Sequence, residues 1–184
     1  MTYRIRRSLV SDTEVLGRVA AQAWNESYAT IMPEAALAKS ATVERRTEIR
    51  REFFAKTTPD WAHFLVETEK GNIVGFCDCG PVDKSESKEF GSSEILAIYL
   101  LRPAQGQGLG KRMFRMMLKH LAERGFDSAV LDVFMKNEKA IRFYEGMGGK
   151  KKAEMTREFA GTSLPLAVYM WSDLKKYASA SRVL

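Results

Sequence analysis

The sequence predicts one mixed α/β (α+β) domain, and three observations lead to this prediction. Segments with helical periodicity alternate with segments of strand periodicity along the 184 residues. Apolar residues make up 45% of the chain and charged residues 28%, a balance typical of globular proteins. Neither an internal repeat nor a Pro/Gly/Ser-rich linker divides the sequence. We therefore expect a single domain over residues 1–184.

The first half of the chain is predicted to form one strand followed by three helices. Alternating residues open the chain, and Ser11 and Asp12 offer N-caps for the first helix. Pro33 suits the first position of a second, short helix. We expect a strand over residues 3–9 and helices over residues 14–28, 33–38 and 42–54.

The second half adds two hairpins around a strand–helix–strand–helix segment. A tight turn over residues 69–72 joins the first pair of strands, and Gly125 is placed to end the long helix. We expect strands over residues 62–67, 73–79, 93–101, 129–134, 151–159 and 167–171, helices over residues 109–124 and 138–147, and a polar loop over residues 81–92.

Charge, cysteine content and hydropathy exclude several classes of protein. Lys and Arg total 29 against 23 Asp and Glu, a net charge of +6, but the basic residues are dispersed. We expect no nucleic-acid partner, although a small phosphorylated ligand would suit this charge. Cys77 and Cys79 are the only cysteines and sit two apart in an apolar run, so we expect neither a disulfide nor a metal site. No apolar run approaches the ~18–20 residues of a membrane span. The charged N-terminus lacks the apolar stretch of a secretory signal. These two observations, with the absence of a disulfide, predict a cytoplasmic protein.

A glycine-dense turn over residues 105–110 joins a strand to a helix and has the chemistry of an anion site. We call it the glycine turn. Backbone N–H groups at a helix N-terminus are unpaired and carry partial positive charge, and glycine lets an anion approach them closely. Lys111 and Arg112 add two charges beside the turn. The spacing fits neither a P-loop nor a dinucleotide fingerprint. We therefore predict a phosphate or pyrophosphate cradle, with a simple chain reversal as the structural alternative.

The glycine turn contains the pattern Gln105-x-x-Gly108-x-Gly110. This pattern resembles the Gln/Arg-x-x-Gly-x-Gly/Ala signature of the GNAT superfamily of acetyl-CoA-dependent N-acetyltransferases. The segment from Asn137 to Gly148 resembles its Asn-x-x-Ala-x-x-Phe-Tyr-x-x-x-Gly motif. The resemblance is close over residues 62–149 and implies a mostly antiparallel sheet of about seven strands with helices on both faces. One departure is Gly149, where many members have Phe.

The resemblance also implies where acetyl-CoA would bind. Its fourth and fifth strands would splay, and the cofactor would enter the notch between them. The pantetheine would pair with the backbone of the fourth strand, the pyrophosphate would lie on the amides of the glycine turn, and Asn137 would meet the cofactor. The implied cofactor-binding residues are Ile98, Tyr99, Leu100, Gln105, Gly106, Gln107, Gly108, Leu109, Gly110, Lys111, Asn137 and Tyr144.

Acetyl transfer to an amine needs a route for the amine proton and a way to stabilise the departing thiolate. Glu94 and Asp132 are candidate bases, because the family places acidic residues at both positions. The alternatives are a surface Glu at a strand end and a structurally paired Asp. Tyr144 would face the sulfur, and its phenol could donate a proton to the thiolate. Trp24 and Tyr28 share a helix face and are candidates for lining the acceptor pocket or for packing in the core.

These expectations lead to one main functional hypothesis and two alternatives. The main hypothesis is transfer of acetyl from acetyl-CoA to a primary amine of a small molecule by direct attack, with a polyamine-like acceptor as one candidate. A protein N-terminal or lysine acceptor stays open, as does a non-catalytic CoA-binding module. Members of the family are often dimers, so a homodimer is expected by analogy alone.

Overall fold

The computed structural model describes residues 2–82 and 89–178, and its centre is one seven-stranded sheet with the order β1-β2-β3-β4-β5-β7-β6. The middle of the predicted loop over residues 81–92 lies outside the described residues. Every neighbouring pair of strands is antiparallel except β4 and β5. The strands are β1 (Tyr3–Arg7), β2 (Ala62–Thr68), β3 (Ile73–Pro81), β4 (Ser93–Leu100), β5 (Ser128–Phe134), β6 (Lys150–Phe159) and β7 (Thr162–Ser172).

Helices cover both faces of the sheet. They are α1 (Thr13–Tyr28), α2 (Glu34–Ser40), α3 (Val43–Ala55), α4 (Leu109–Glu123), α5 (Glu138–Gly146) and α6 (Lys175–Ala178). Two short 3-10 turns cover Val10–Asp12 and Arg102–Ala104. The predicted fold class, a mixed and mostly antiparallel sheet with helices on both faces, is confirmed.

The two faces of β3 show how the sheet is sandwiched. Cys77 and Cys79 lie in the cluster built on α4, where Met113 and Phe114 are fully buried. Phe76, the residue before Cys77, points to the opposite face and packs with the apolar side of α1. Each fully buried large side chain contributes roughly 1.5–3 kcal/mol to folding. The central strands are therefore covered on both faces, which fixes their register.

The parallel pair β4–β5 is short, and this sets the geometry of the candidate site. Within the described residues, the two strands pair at Ser93 with Ala129 and at Glu94 with Val130. β4 continues to Leu100 and β5 to Phe134 without further pairing between them. The strands therefore diverge and leave a notch in the middle of the sheet, as the resemblance implied.

Of the element boundaries that differ from the sequence prediction, two have identifiable reasons. β1 ends at Arg7 because Leu9 leads into a 3-10 turn that Asp12 closes by accepting from the Leu9 N–H at 2.8 Å. β7 begins at Thr162, five residues before its predicted start at Ala167. Pro165 lies within that extension, and the sequence prediction excluded it because proline donates no ladder hydrogen bond. It is tolerated here, and its carbonyl accepts from the Met135 N–H at 3.1 Å.

In the described part of the chain, no helix combines the length and the apolar character needed to cross a bilayer.

Candidate active site

The notch opens into a cleft of about 1080 Å³. β4 and β5 form its two sides, the glycine turn closes one end, and side chains of α1, α5 and β6 reach into it. Most of the predicted site residues line this one cleft. They are Trp24, Tyr28, Glu94, Ile98, Tyr99, Leu100, Gln105, Gly106, Gly108, Gly110, Lys111, Asp132, Asn137 and Tyr144.

The backbone of the glycine turn adopts the conformation that an anion cradle requires. Gly106 and Gly108 both have φ of +76°, in the left-handed region that favours glycine. Gly108 is the N-cap of α4, and no side chain caps that helix end. The first backbone bond of α4 is from the Arg112 N–H to the Gly108 carbonyl, at 3.1 Å. The amides of residues 109–111 precede that bond and therefore have no partner within the helix.

Side chains of the turn hold it in place rather than filling the cleft. Gln105 Nε2 donates to the Leu100 carbonyl at 2.7 Å, and its Oε1 accepts from Lys139. Gln107 Nε2 donates to the Pro103 carbonyl at 3.0 Å, and Leu109 is buried in the main core. Gln107 and Leu109 lie outside the set of cleft-lining residues. Of the predicted cofactor-binding residues, these two are the ones outside the cleft, and the buried side chain of Leu109 leaves its backbone for any contact.

The two candidate carboxylates have different surroundings. Glu94 opens β4 at the point where the strands diverge, and only 2% of it is exposed. It is therefore not a surface glutamate. Asp132 Oδ2 forms an ion pair with Nη2 of Arg157 at 2.6 Å, and the Asp132 side chain is 8% exposed. The structurally paired alternative for Asp132 is thus present in the structure, inside the cleft.

Tyr144 lies on α5 and is packed by aromatic rings. Its ring centroid is 6.1 Å from Phe114 and 6.1 Å from Trp171. Burial raises the pKa of the phenol, and the neighbouring Tyr99 raises it further. The phenol therefore stays protonated at neutral pH, in the form that can donate to a developing thiolate.

Asn137 has a defined structural role as well as its place in the cleft. It is the N-cap of α5, and its Oδ1 accepts from the Ala140 N–H at 3.2 Å. This cap fixes where α5 begins, and the helix in turn carries Tyr144. The predicted cap is confirmed, while contact with a cofactor stays a prediction.

Four aromatic side chains form a continuous wall on the other side of the cleft. Trp24 and Tyr28 are in edge contact at 5.0 Å, Tyr28 meets Phe134 at 4.9 Å, and Phe134 meets Phe159 at 5.0 Å. All four line the cleft and pack in one apolar cluster or against it. Trp24 and Tyr28 therefore both line the cleft and pack against the core, which were the two alternatives left open by the sequence. We call this set the aromatic wall.

Two site features were not found by the sequence reasoning. Tyr99 was assigned through its backbone, but its hydroxyl lies 2.7 Å from that of Tyr28 and joins β4 to α1. Arg157 was not assigned at all. Its signal was present in the alternation of β6, where it takes an inward position between Met155 and Phe159.

The cysteines are remote from acetyl-transfer chemistry. Cys77 and Cys79 are free thiols, fully buried in β3, and burial raises the pKa of both. Thiols in this state are poor nucleophiles. Across residues 2–82 and 89–178, no group of three or more His, Cys, Asp or Glu side chains is arranged to hold a metal ion.

A seven-stranded sheet split between β4 and β5, with a glycine cradle at the split, is the fold of an acyltransferase domain. Consistent with this, residues 18–148 match the Acetyltransferase (GNAT) family. The chain belongs to that family and is an N-acetyltransferase.

Relatives and solved structures agree with this assignment. The chain is 28% identical over 173 residues to the uncharacterized N-acetyltransferase YuaI of Bacillus subtilis (strain 168), covering 92% of this chain and 93% of that protein. It resembles the paia N-acetyltransferase from Thermoplasma acidophilum in complex with coenzyme A, with a TM-score of 0.66, 19% identity and coverage of 91% and 98%. It also resembles yncA from Salmonella typhimurium with its cofactor acetyl-CoA, with a TM-score of 0.68, 16% identity and coverage of 100% and 98%.

Proposed function

We propose that this enzyme transfers acetyl from acetyl-CoA to a primary amine of a small molecule by direct attack. The observation that carries the proposal is the arrangement of the cleft. A glycine cradle lies at one end, and Glu94 and Tyr144 both line the space beside it. Membership of the acetyltransferase family and the coenzyme A and acetyl-CoA named with two structural neighbours support the same cosubstrate.

Acetyl-CoA would bind at two places, with its pantetheine along the free edge of β4 and its pyrophosphate in the glycine cradle. β4 leaves β5 after Glu94, so the backbone of Ile98, Tyr99 and Leu100 can pair with the amide groups of a pantetheine chain. The amides of residues 106–111, with the charge of Lys111, can hold the pyrophosphate. Asn137, which begins α5, would meet the cofactor at the mouth of the notch.

Glu94 would accept the proton that the amine loses. An alkyl amine has a pKa near 10.4, so only about one molecule in 2,500 is neutral at pH 7. A carboxylate within reach, directly or through one water, raises the rate by taking the ammonium proton, so that the neutral nitrogen can attack the thioester carbonyl. The second proton of the nitrogen leaves to solvent as the amide forms. Glu94 is buried at the start of the notch and lines the cleft, which supports this role.

Tyr144 would supply the proton that the departing thiolate takes up. As the C–N bond forms and the C–S bond breaks, the sulfur gains the electron pair of the broken bond. The Tyr144 hydroxyl would donate a proton to that sulfur, and solvent or the protonated Glu94 would then restore the phenol. Backbone N–H groups of β4 near Leu100 can stabilise the oxyanion that forms in between.

Asp132 is better suited to positioning than to accepting a proton. Its Oδ2 is committed to Arg157 at 2.6 Å, whereas Glu94 sits nearer to the point where the strands part. We therefore assign the base to Glu94, with Asp132 as the second candidate.

A calorimetric titration tests the first half of this proposal. The protein should bind acetyl-CoA and CoA with micromolar affinity and should not bind NADP, because the glycine spacing fits no dinucleotide fingerprint. The Gly108→Asp variant places charge and bulk on the cradle and should lose most of that affinity. Absence of CoA binding by the folded wild-type protein would contradict the proposal.

A further inference from the structure

Arg157 occupies an inward position that the pattern of β6 reserves for apolar residues. Along this strand Ala153, Met155, Arg157 and Phe159 are partly buried, and the residues between them are exposed. Met155 and Phe159 pack against the apolar cluster that contains Phe134. A guanidinium in this row is therefore a departure from the strand's own pattern, and it needs a physical reason.

One partner of Arg157 in the structure is Asp132, on β5, the strand on the far side of β7. The Nη2–Oδ2 distance is 2.6 Å, and the two side chains are 22% and 8% exposed. Removing such a pair from water costs several kcal/mol for each ion, so a pair of this kind is weak evidence for stability alone. Both residues line the cleft. This placement favours a role in binding a ligand.

Charge in the cleft argues against a polycation. The Asp132–Arg157 pair is neutral as a unit, which leaves Glu94 as the carboxylate beside the point of strand divergence. Glu26 lies at the other end, where it accepts from the Arg102 N–H at 3.0 Å. Among the basic lining residues, Lys111 lies in the glycine cradle and Lys139 is bonded to Gln105 beside it. The charged groups near the strand divergence are Glu94, Asp132 and Arg157, two carboxylates against one guanidinium. One excess negative charge gives weak complementarity to a polyamine, which carries several positive charges.

We propose that Arg157, held in place by Asp132, binds a carboxylate of the acceptor, so that the acceptor is an amino acid or a similar amine that carries a carboxylate. A guanidinium has five N–H donors in a planar fork, and it can hold the Asp132 carboxylate and a second carboxylate together. Asp132 is a positioning residue in this arrangement. The inference rests on the proposed function, since it specifies the acceptor of that reaction.

The spacing of the strands suits one small molecule. Glu94 pairs with Val130, and Asp132 follows two residues later on the same face of β5. The positions of Val130 and Asp132 are therefore about 7 Å apart along the strand. Because a hydrogen bond takes up about 3 Å at each end, an acceptor that reaches from Glu94 to the guanidinium beside Asp132 is about as long as an amino acid. The aromatic wall offers apolar contact for its side chain.

The test compares each amino acid with the amine that lacks its carboxylate. Suitable pairs are phenylalanine with phenethylamine, leucine with isoamylamine, and γ-aminobutyrate with propylamine. Rates of CoA release at saturating acetyl-CoA are corrected for the neutral fraction of each amine. At least one amino acid should exceed its partner amine by about tenfold or more in kcat/KM, because a charge-assisted bidentate contact is worth that much.

Variants at Arg157 locate the effect. Arg157→Gln should remove the preference for the amino acid while leaving the affinity for acetyl-CoA unchanged. Because this change leaves Asp132 buried without its ion pair, the double variant Asp132→Asn/Arg157→Gln provides a neutral version of the same site. Arg45→Gln, at an exposed arginine paired with Glu48, is the control and should keep the preference.

The outcomes separate this inference from the proposed function. Acetylation of every amine as fast as its matched amino acid, or an unchanged preference in both Arg157 variants, would overturn the inference alone. Absence of CoA release with every compound in the panel would count against the proposed small-molecule reaction and the inference together.

Discussion

The indole ring of Trp171 occupies the space into which a side chain at Gly149 would project. A Cβ built on Gly149 would lie 2.5 Å from Cζ2 of Trp171, closer than real Cβ contacts allow. Trp171 is 2% exposed, and its Nε1 donates to the Met147 carbonyl at 3.0 Å. The phenylalanine that many family members have at this position is thus replaced here by a ring from β7, which supports Tyr144 from behind.

Adding one methyl group at Gly149 should destabilise the protein. Gly149→Ala should lower the free energy of unfolding by roughly 1–3 kcal/mol, because Trp171 is buried and cannot move away. Gly146→Ala is the matched control, three residues away, where an added Cβ would meet no atom within 4 Å. Urea denaturation of both variants gives the comparison. An equal effect of the two substitutions would contradict this account of Trp171.

The glycine cradle predicts a second pair of variants. Gly108→Ala forces a side chain into a φ of +76° and adds a methyl group where the anion would lie, so the Kd for acetyl-CoA should rise about tenfold or more. Gly71→Ala carries the same backbone strain, at a φ of +78°, in the distant β2–β3 turn. It should lose a similar amount of stability and bind acetyl-CoA normally. Equal affinity in the two folded variants would place the cradle elsewhere.

Tyr144 is predicted to act on kcat rather than on cofactor binding. Tyr144→Phe keeps the ring between Phe114 and Trp171 and removes only the hydroxyl, so kcat should fall on the order of 10²-fold, with the KM for acetyl-CoA nearly unchanged. Tyr177→Phe, on α6 and outside the cleft, should have no such effect. A Tyr144→Phe enzyme with wild-type kcat would exclude the phenol from proton donation.

Replacement of Glu94 should change how the rate depends on pH. Without a base, the reaction must wait for amine that is already neutral, and the neutral fraction grows with pH. Glu94→Gln should therefore shift the rising limb of the kcat/KM profile to higher pH and lower the rate most at neutral pH. The control is Glu158→Gln, an exposed carboxylate on the outer side of β6. An unmoved profile for Glu94→Gln would transfer the role to Asp132 or to bulk water.

The paired hydroxyls of Tyr28 and Tyr99 predict alkaline sensitivity. Burial raises the pKa of both phenols, and for Tyr28 the neighbouring Tyr99 raises it further. In the unfolded chain these phenols ionise near pH 10. Their contribution to stability is therefore fully present below about pH 10 and is lost as the pH rises towards the folded-state values. Urea unfolding between about pH 8 and 11 should show this fall, and Tyr28→Phe should make it less steep.

The sequence predicted the fold, the glycine turn and the Asn137 cap well because their signals are local. Glycines at fixed spacing, an Asn cap and helical periodicity each depend on residues that are neighbours in the chain. The same reasoning missed the Asp132–Arg157 pair and the Trp171–Gly149 contact because both join residues far apart in sequence. Arg157 reaches Asp132 across β7, and only the strand order brings the two together. The acceptor specificity that we propose depends on the first of these contacts.

The most direct test of the account is a two-substrate initial-rate experiment that follows CoA release and the mass of the product. Acetyl-CoA and phenylalanine or phenethylamine are varied together. The account predicts that CoA release requires the amine, that the double-reciprocal lines intersect, and that the amine gains one acetyl group. CoA release independent of the amine, or parallel lines with an acetylated enzyme, would contradict direct transfer in a ternary complex.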